Sequence, residues 1–134
     1  MNKKRVLIID DEKDMTLMVR LNLRKTGRFE VGDENHAGQA LATARAFEPD
    51  IILLDVMMPG MDGGDILALL KEDPKLRNVP VIFVTATVLP EEIKSKGGSI
   101  GGYPYISKPF EIKALLTAID DALALAARQQ VKAK

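Results

Sequence analysis

Short apolar runs alternate with amphipathic segments along most of this chain. The apolar runs predict five strands, at Val6 to Ile9, Phe29 to Asp33, Ile51 to Leu54, Val81 to Val84 and Tyr103 to Ile106. The first run is apolar throughout, which is typical of a strand that is buried on both faces. Gly32 interrupts the second run, and glycine weakens a strand interior.

Residues with helical spacing fill the intervals between these strands. They predict helices over about Asp14 to Lys25, Ala37 to Phe47, Asp65 to Lys71, a segment that starts at Pro90, and Glu111 to about Ala127. Gly27 is placed to end the first helix, and Pro90 followed by two glutamates suits the start of the fourth. This alternation predicts parallel βα units with right-handed crossovers.

The predicted fold class is therefore α/β, with a doubly wound, five-stranded parallel sheet of the flavodoxin-like (βα)5 type and strand order 2-1-3-4-5. In this order the fifth strand is an edge, where Pro104 is tolerated. A chain of 134 residues suits one domain, which we place at residues 1–128. Residues 129–134 are expected to form a frayed tail.

Composition narrows the possible functions. The 19 basic and 19 acidic residues give zero net charge, which argues against broad attraction to nucleic acid or to an anionic membrane. The chain has no cysteine, so thiol chemistry is excluded. The basic N-terminus precedes only four apolar residues, too few for a signal peptide or a membrane span. We therefore expect a cytoplasmic protein.

Carboxylates follow two of the predicted strands, Asp10 and Asp11 after the first and Asp55 after the third. The strand order reverses between these strands, and ligands bind outside the carboxyl ends of strands at such a point. Three clustered carboxylates would repel one another, so at least one should have a raised pKa unless a cation joins them. Oxygen ligands suit a small, hard divalent cation.

Thr85 and Lys108 follow the fourth and fifth strands at the same rim. This set of groups suits phosphoryl transfer onto a carboxylate, because an aspartate can attack phosphorus and form an aspartyl phosphate. A metal and an ammonium group can neutralise the phosphoryl oxygens.

Three motifs resemble the receiver domain of bacterial two-component response regulators. They are Ile8 to Glu12, Leu54 to Gly63 and Ser107 to Phe110, and the resemblance extends over essentially the whole chain. It implies that Asp55 is the phosphoacceptor and that Thr85 and Lys108 bind the phosphoryl group. The implied ligands of Mg²⁺, for which Mn²⁺ can substitute, are Asp11, Asp55, the backbone carbonyl of Met57 and, mainly through water, Asp10. The resemblance also implies a cis bond between Lys108 and Pro109 and a switch made of Thr85 and Tyr105.

The implied function is a phosphorylation-activated signalling domain. It would take its phosphoryl group from a sensor histidine kinase or a histidine phosphotransfer protein. It would catalyse its own phosphorylation and dephosphorylation without turning over an external substrate. The face of the fourth helix, fifth strand and last helix would then bind a downstream protein or form a homodimer, with no direct contact to nucleic acid or membrane. Whether the domain stands alone or belongs to a longer regulator stays open.

Taken singly, each of these residues has a simpler explanation. The pair Asp10 and Asp11 could cap the next helix, and Asp55 could be a strand-end loop acid. Thr85 could be an ordinary β-branched strand residue, and Tyr105 a half-buried strand aromatic. Lys108 could be a solvated surface charge. The functional interpretation depends on all of them meeting at one rim.

Two enzyme-like or cofactor-binding alternatives are disfavoured by the residues next to the acids. A metal-dependent phosphatase with an aspartyl phosphate usually needs a second acid close behind the nucleophile, and Val56 and Met57 follow Asp55. A flavin carrier needs a hydroxyl-rich phosphate loop where Asp10 to Glu12 stand.

Two features leave the switch region less defined. Glycines between Gly97 and Gly102 disfavour helix, which predicts a short or mobile fourth helix. Tyr103 shares a strand face with Tyr105, so either could be the switching aromatic.

Overall fold

The computed structural model of the protein describes residues 3–86, 99–100 and 103–133. The predicted fourth helix, and most of the glycine-rich stretch after it, lie outside the described residues. The strands are β1 (Lys4–Ile9), β2 (Phe29–Glu34), β3 (Ile51–Asp55), β4 (Val81–Thr85), β5 (Ser99–Ile100) and β6 (Tyr103–Ser107). The described helices are α1 (Lys13–Lys25), α2 (Ala40–Phe47, preceded by a 3-10 turn at Ala37–Gln39), α3 (Gly63–Glu72) and α4 (Ile112–Ala133).

The sheet has the strand order β2-β1-β3-β4-β6-β5. The first five strands in this order are parallel, which confirms the predicted order 2-1-3-4-5 and the doubly wound α/β class. The prediction that the fifth parallel strand forms the edge is wrong, because β5 pairs with β6 in the antiparallel sense. That pairing joins only Ser99 with Pro104 and Ile100 with Tyr103, and a strand of two residues is too short to produce a periodic signal.

Each face of the sheet carries its own core, because successive strand residues point to opposite sides. One core contains Leu7, Ile9, Ile52 and Leu54 and packs against residues of α2 and α3. The other contains Val6, Ile8, Ile51 and Leu53 and packs against residues of α1 and α4. Helices therefore cover both faces and leave the carboxyl ends of β1 and β3 between them.

The helix ends follow capping chemistry more closely than apolar spacing. Gly27 has φ of +75° and donates its N–H to the Arg24 carbonyl, which confirms it as the terminator of α1. α3 begins at Gly63, earlier than predicted, because the Asp62 and Asp65 side chains accept hydrogen bonds from each other's backbone N–H groups.

The last helix is longer than its apolar stripe. α4 runs to Ala133, so residues 129–133, which we expected to be frayed, are helical. Alanine, glutamine and lysine have high intrinsic helix propensity, which explains the extension. The domain boundary at residue 128 stays a prediction.

Candidate functional site

The register of the central strands places the acids of two distant segments side by side. Ile9 of β1 pairs with Leu54 of β3, so Asp10 and Asp55 follow a matched pair of residues. Carboxylate oxygens of Asp10, Asp11 and Asp55 all lie within 4.8 Å of one another. Asp10 is fully buried and Asp55 is 3% exposed, whereas Asp11 faces solvent. The three carboxylates thus form an acidic pocket in which Asp10 and Asp55 are buried and Asp11 is open to solvent.

Lys108 extends across this pocket from the end of β6. Its Nζ lies 2.7 Å from Asp10 Oδ2, 3.2 Å from Glu12 Oε1 and 3.8 Å from Asp55 Oδ2. Its backbone N–H donates to the Thr85 carbonyl at 2.7 Å, and its peptide bond with Pro109 is cis. The ammonium group therefore bridges the acids of β1 and β3 rather than projecting into solvent.

The charges in the pocket do not balance. The Lys108 ammonium group contacts three carboxylates, and a fourth, that of Asp11, lies beside two of them, which leaves the site negative among the described residues. Burial, and then the charge of Asp10, raise the pKa of Asp55 to about 6. Burial also raises the pKa of Asp10, although Lys108 opposes that rise. The expected raised pKa is confirmed, and the uncompensated charge suits a divalent cation.

Burial alone would lower the pKa of Lys108. The hydrogen bond with Asp10 and the negative charges of Asp10 and Asp55 outweigh burial and raise it. Lys108 therefore stays charged at neutral pH and can bind an anionic group as a point charge.

Backbone hydrogen bonds of the loop after Asp55 restrain that residue and position the start of α3. Asp55 Oδ1 accepts the Met57 N–H at 3.3 Å, and the Gly63 N–H donates to the Val56 carbonyl at 2.8 Å. A Cβ on Gly63 would come within 2.8 Å of the Asp55 carbonyl oxygen, so the close approach of α3 requires glycine here. The Met57 side chain is 65% exposed, while its backbone stays beside the acids.

Thr85 and Tyr105 lie on the neighbouring strands. Asp55 pairs with Val84, so buried Thr85 lies one residue beyond Asp55 at the same edge of the sheet. Tyr105 pairs with Phe83 and is partly buried. Tyr103 packs against the same cluster as Tyr105, as alternation predicts, and its ring meets Phe83 edge to face at 6.1 Å.

A family model described as the response regulator receiver domain matches residues 6–120. The chain belongs to the response regulator receiver domain family. Receiver domains act in phosphorylation-dependent signalling by two-component systems, and the family is not a classical enzyme family. The phosphatase and flavin-carrier alternatives are therefore set aside.

Named relatives agree with this assignment. The DNA-binding response regulator MtrA of Mycobacterium tuberculosis is 33% identical over 117 residues, which are 87% of this chain and 49% of that protein. The probable transcriptional regulatory protein TcrX of the same species is 38% identical over 112 residues, or 83% of this chain and 46% of that protein. The chain thus spans about half the length of the curated relatives it matches.

Solved structures show the same fold. Chemotaxis protein CheY4 of Vibrio cholerae superposes with a TM-score of 0.78 at 28% identity, and the match covers 90% of this chain and 99% of that one. In the described part of this receiver domain, no helix is long and apolar enough to cross a membrane.

Two further polar residues of the receiver domain contact the acidic site but were not among the predicted site residues. Glu12 contacts Lys108, and Asn35 donates to the Asp10 carbonyl. Asn35 directly follows β2, which neighbours β1 in the predicted strand order. Its position at the carboxyl end of a strand is the signal that could have identified Asn35.

The Asp10 carboxylate does not cap α1. Its Oδ1 accepts the Glu12 N–H at 2.9 Å, and Glu12 is the residue that precedes α1.

Proposed function

We propose that Asp55 accepts a phosphoryl group and that this modification controls the signalling state of the domain. The observation that carries the proposal is the nearly buried Asp55 carboxylate, which lies among two other acids and 3.8 Å from the Lys108 ammonium group. The Asp55 carboxylate supplies the nucleophilic oxygen, and the neighbouring Lys108 ammonium group can bind an anionic phosphoryl donor.

The phosphoryl donor we propose is a phosphohistidine of a sensor histidine kinase or a histidine phosphotransfer protein. An Asp55 oxygen forms the new bond to phosphorus while the phosphorus–nitrogen bond breaks. The imidazole leaves with that electron pair. Later attack of water on phosphorus regenerates the Asp55 carboxylate and releases inorganic phosphate. Both steps take place on the domain's own residue, so no external substrate is turned over in the usual enzymatic sense.

The acids of the pocket suit Mg²⁺, and Mn²⁺ has the same oxygen preference. Asp11, Asp55 and the Met57 carbonyl would hold the ion directly, and buried Asp10 would act mainly through water. When bound, the ion supplies positive charge opposite the phosphoryl oxygens. Lys108 and the Thr85 hydroxyl would bind the remaining phosphoryl oxygens. Their positions at the ends of β6 and β4 support this role.

The output we propose is a change in the surface that includes strand β6 and the C-terminal helix α4. The predicted fourth helix, which lies outside the described residues, is the third part of that proposed surface. This surface would bind a downstream protein or a second copy of the domain. A cytoplasmic location and the absence of direct nucleic-acid and membrane contacts remain predictions, and balanced overall charge supports the latter. The DNA binding named for MtrA belongs to a protein about twice as long as this chain.

Phosphotransfer from purified histidine kinases tests the proposed function. We expect at least one radiolabelled kinase of the same organism to pass its label to the wild-type chain within seconds to minutes. Asp55→Asn should receive none, because the amide lacks the nucleophilic oxygen. Asp121→Asn is the matched control, since it changes an exposed aspartate of α4. Equal labelling of Asp55→Asn and the wild type would contradict the assignment of Asp55.

The switch can be tested on the described strand β6. Phosphorylation should draw Thr85 toward the new phosphoryl oxygens and let Tyr105 turn inward, which is a population shift between two arrangements. With Mg²⁺ and beryllofluoride as phosphate mimic, we expect slower amide exchange in a peptide covering Tyr103–Ser107. Thr85→Ala should remove most of this slowing but still permit phosphorylation of Asp55. Identical exchange in wild type with and without beryllofluoride would exclude this route.

A further inference from the structure

Asn35 makes a side-chain contact with the backbone of the acidic pocket from the neighbouring strand. Its Nδ2 lies 2.8 Å from the Asp10 carbonyl oxygen and 3.1 Å from Thr16 Oγ1. The Asp10 N–H in turn donates to the Glu34 carbonyl at 3.0 Å. Hydrogen bonds from the end of β2 therefore hold both the N–H and the carbonyl of Asp10.

The chemistry of the partners fixes how the Asn35 amide is oriented. A backbone carbonyl can only accept, so the amide nitrogen must face Asp10. The hydroxyl of fully buried Thr16 donates to the Lys13 carbonyl at 3.0 Å and is left to accept from Asn35. Thr16 also lies 3.4 Å from Asp33, whose other oxygen accepts from Arg20 at 3.1 Å. Asn35 is thus held in one orientation by α1 and β2.

We propose that Asn35 is a positioning residue for the metal-binding carboxylates, acting through the Asp10–Asp11 peptide. The inference rests on the proposed metal site of the receiver domain. The Asp10 carbonyl and the Asp11 nitrogen belong to one planar unit, so holding the oxygen sets the direction in which the chain continues to Asp11.

Asp11 depends on this backbone restraint more than the other acids do. Asp10 is held by Lys108 and the Glu12 N–H, and Asp55 by the Met57 N–H. Among the described residues, no hydrogen bond or ion pair holds the exposed Asp11 carboxylate. Its position relative to Asp55 therefore follows from the orientation of its own peptide bond.

The expected effect of losing Asn35 is weaker metal binding in a folded domain. Partners that orient metal ligands typically contribute about 10- to 100-fold to metal affinity or activity. Asn35→Ala should raise the dissociation constant for Mn²⁺ by about 10-fold. Phosphorylation by acetyl phosphate should fall at low Mg²⁺ and return toward the wild-type rate at saturating Mg²⁺. A purely structural role would reduce the folded fraction without this dependence on metal concentration.

The test is a Mn²⁺ titration followed by electron paramagnetic resonance, in which free ion is counted directly. Wild type, Asn35→Ala, Thr16→Val and Asn22→Ala are compared at equal folded concentration. Thr16→Val keeps the side-chain volume but removes the Asn35 acceptor, so it should weaken binding in the same direction and decides the question if Asn35→Ala does not fold. Asn22→Ala is the matched control, because half-buried Asn22 lies on α1 like Thr16 but donates to the Met18 carbonyl at 2.8 Å, within its own helix and not to the acids.

The outcomes separate this inference from the proposed function. The inference is supported if Asn35→Ala binds Mn²⁺ more weakly while Asn22→Ala binds it like wild type. If Asn35→Ala does not fold, weaker binding by Thr16→Val supports the inference instead. If the Mn²⁺ dissociation constant of Asn35→Ala is within about two-fold of the wild-type value, the inference is overturned but the proposed metal site is not. No Mn²⁺ binding by wild type would overturn the metal site and the inference together. Equal weakening in Asn22→Ala would show a general effect of destabilisation and would also overturn it.

Discussion

Acetyl phosphate should add one phosphoryl group to the wild-type chain in the presence of Mg²⁺, and Asp55→Asn should lower the rate at least about 100-fold. The reason is that Asp55 offers the buried nucleophilic oxygen next to Lys108. Excess EDTA should suppress labelling of wild type to a similar degree, since the negative pocket would otherwise repel an anionic donor. Intact-mass spectrometry measures the added group directly.

Two further variants separate the roles of the neighbouring residues. Asp11→Ala should raise the Mg²⁺ concentration that gives half-maximal labelling, because it removes a proposed metal ligand. Lys108→Met should reduce labelling even at saturating Mg²⁺. Asp121→Asn should behave as wild type. Full labelling of Asp55→Asn, or labelling of wild type that EDTA leaves unchanged, would contradict the proposed chemistry.

Asp55→Asn should also stabilise the metal-free fold at pH 7.5, by about 1–3 kcal/mol in the free energy of unfolding. The folded-state pKa of Asp55 is raised from 3.8 to about 6. Between these values the folded chain binds more protons than the unfolded chain, so the free energy of unfolding falls as pH rises through this window. The neutral amide of asparagine removes the cost of an ionised, buried group beside Asp10.

Urea denaturation in EDTA at pH 7.5 and pH 4 measures this effect. The advantage of Asp55→Asn should shrink at pH 4, where the Asp55 carboxyl is largely protonated in the folded state. Added Mg²⁺ should stabilise wild type more than the variant, because ligands that bind only the folded state raise its stability. A variant less stable than wild type at pH 7.5 would exclude the electrostatic explanation. Asp10 is a poorer choice for this test, because its removal would leave the Lys108 ammonium without its 2.7 Å partner.

The amino-acid sequence by itself determined the parallel strands, their order and the rim at which the acids meet. Strongly apolar runs at Val6 to Ile9 and Ile51 to Leu54 report burial directly, and the acids after them stand at strand ends whatever the detailed packing. The C-terminus of α1 was also predictable, since Gly27 has a local conformational role.

Only the tertiary structure decided which side chains touch. The short strand β5 and the extension of α4 to Ala133 arise from pairing and helix propensity without an apolar period. The contacts of Lys108 with Asp10 and of Asn35 with the Asp10 carbonyl join residues 98 and 25 positions apart. Such distances depend on strand register and on the packing of α1 against β2, and no local pattern of apolar and polar residues encodes them. The sequence therefore located the acidic rim, and the folded chain determined how its charges and supporting hydrogen bonds are arranged.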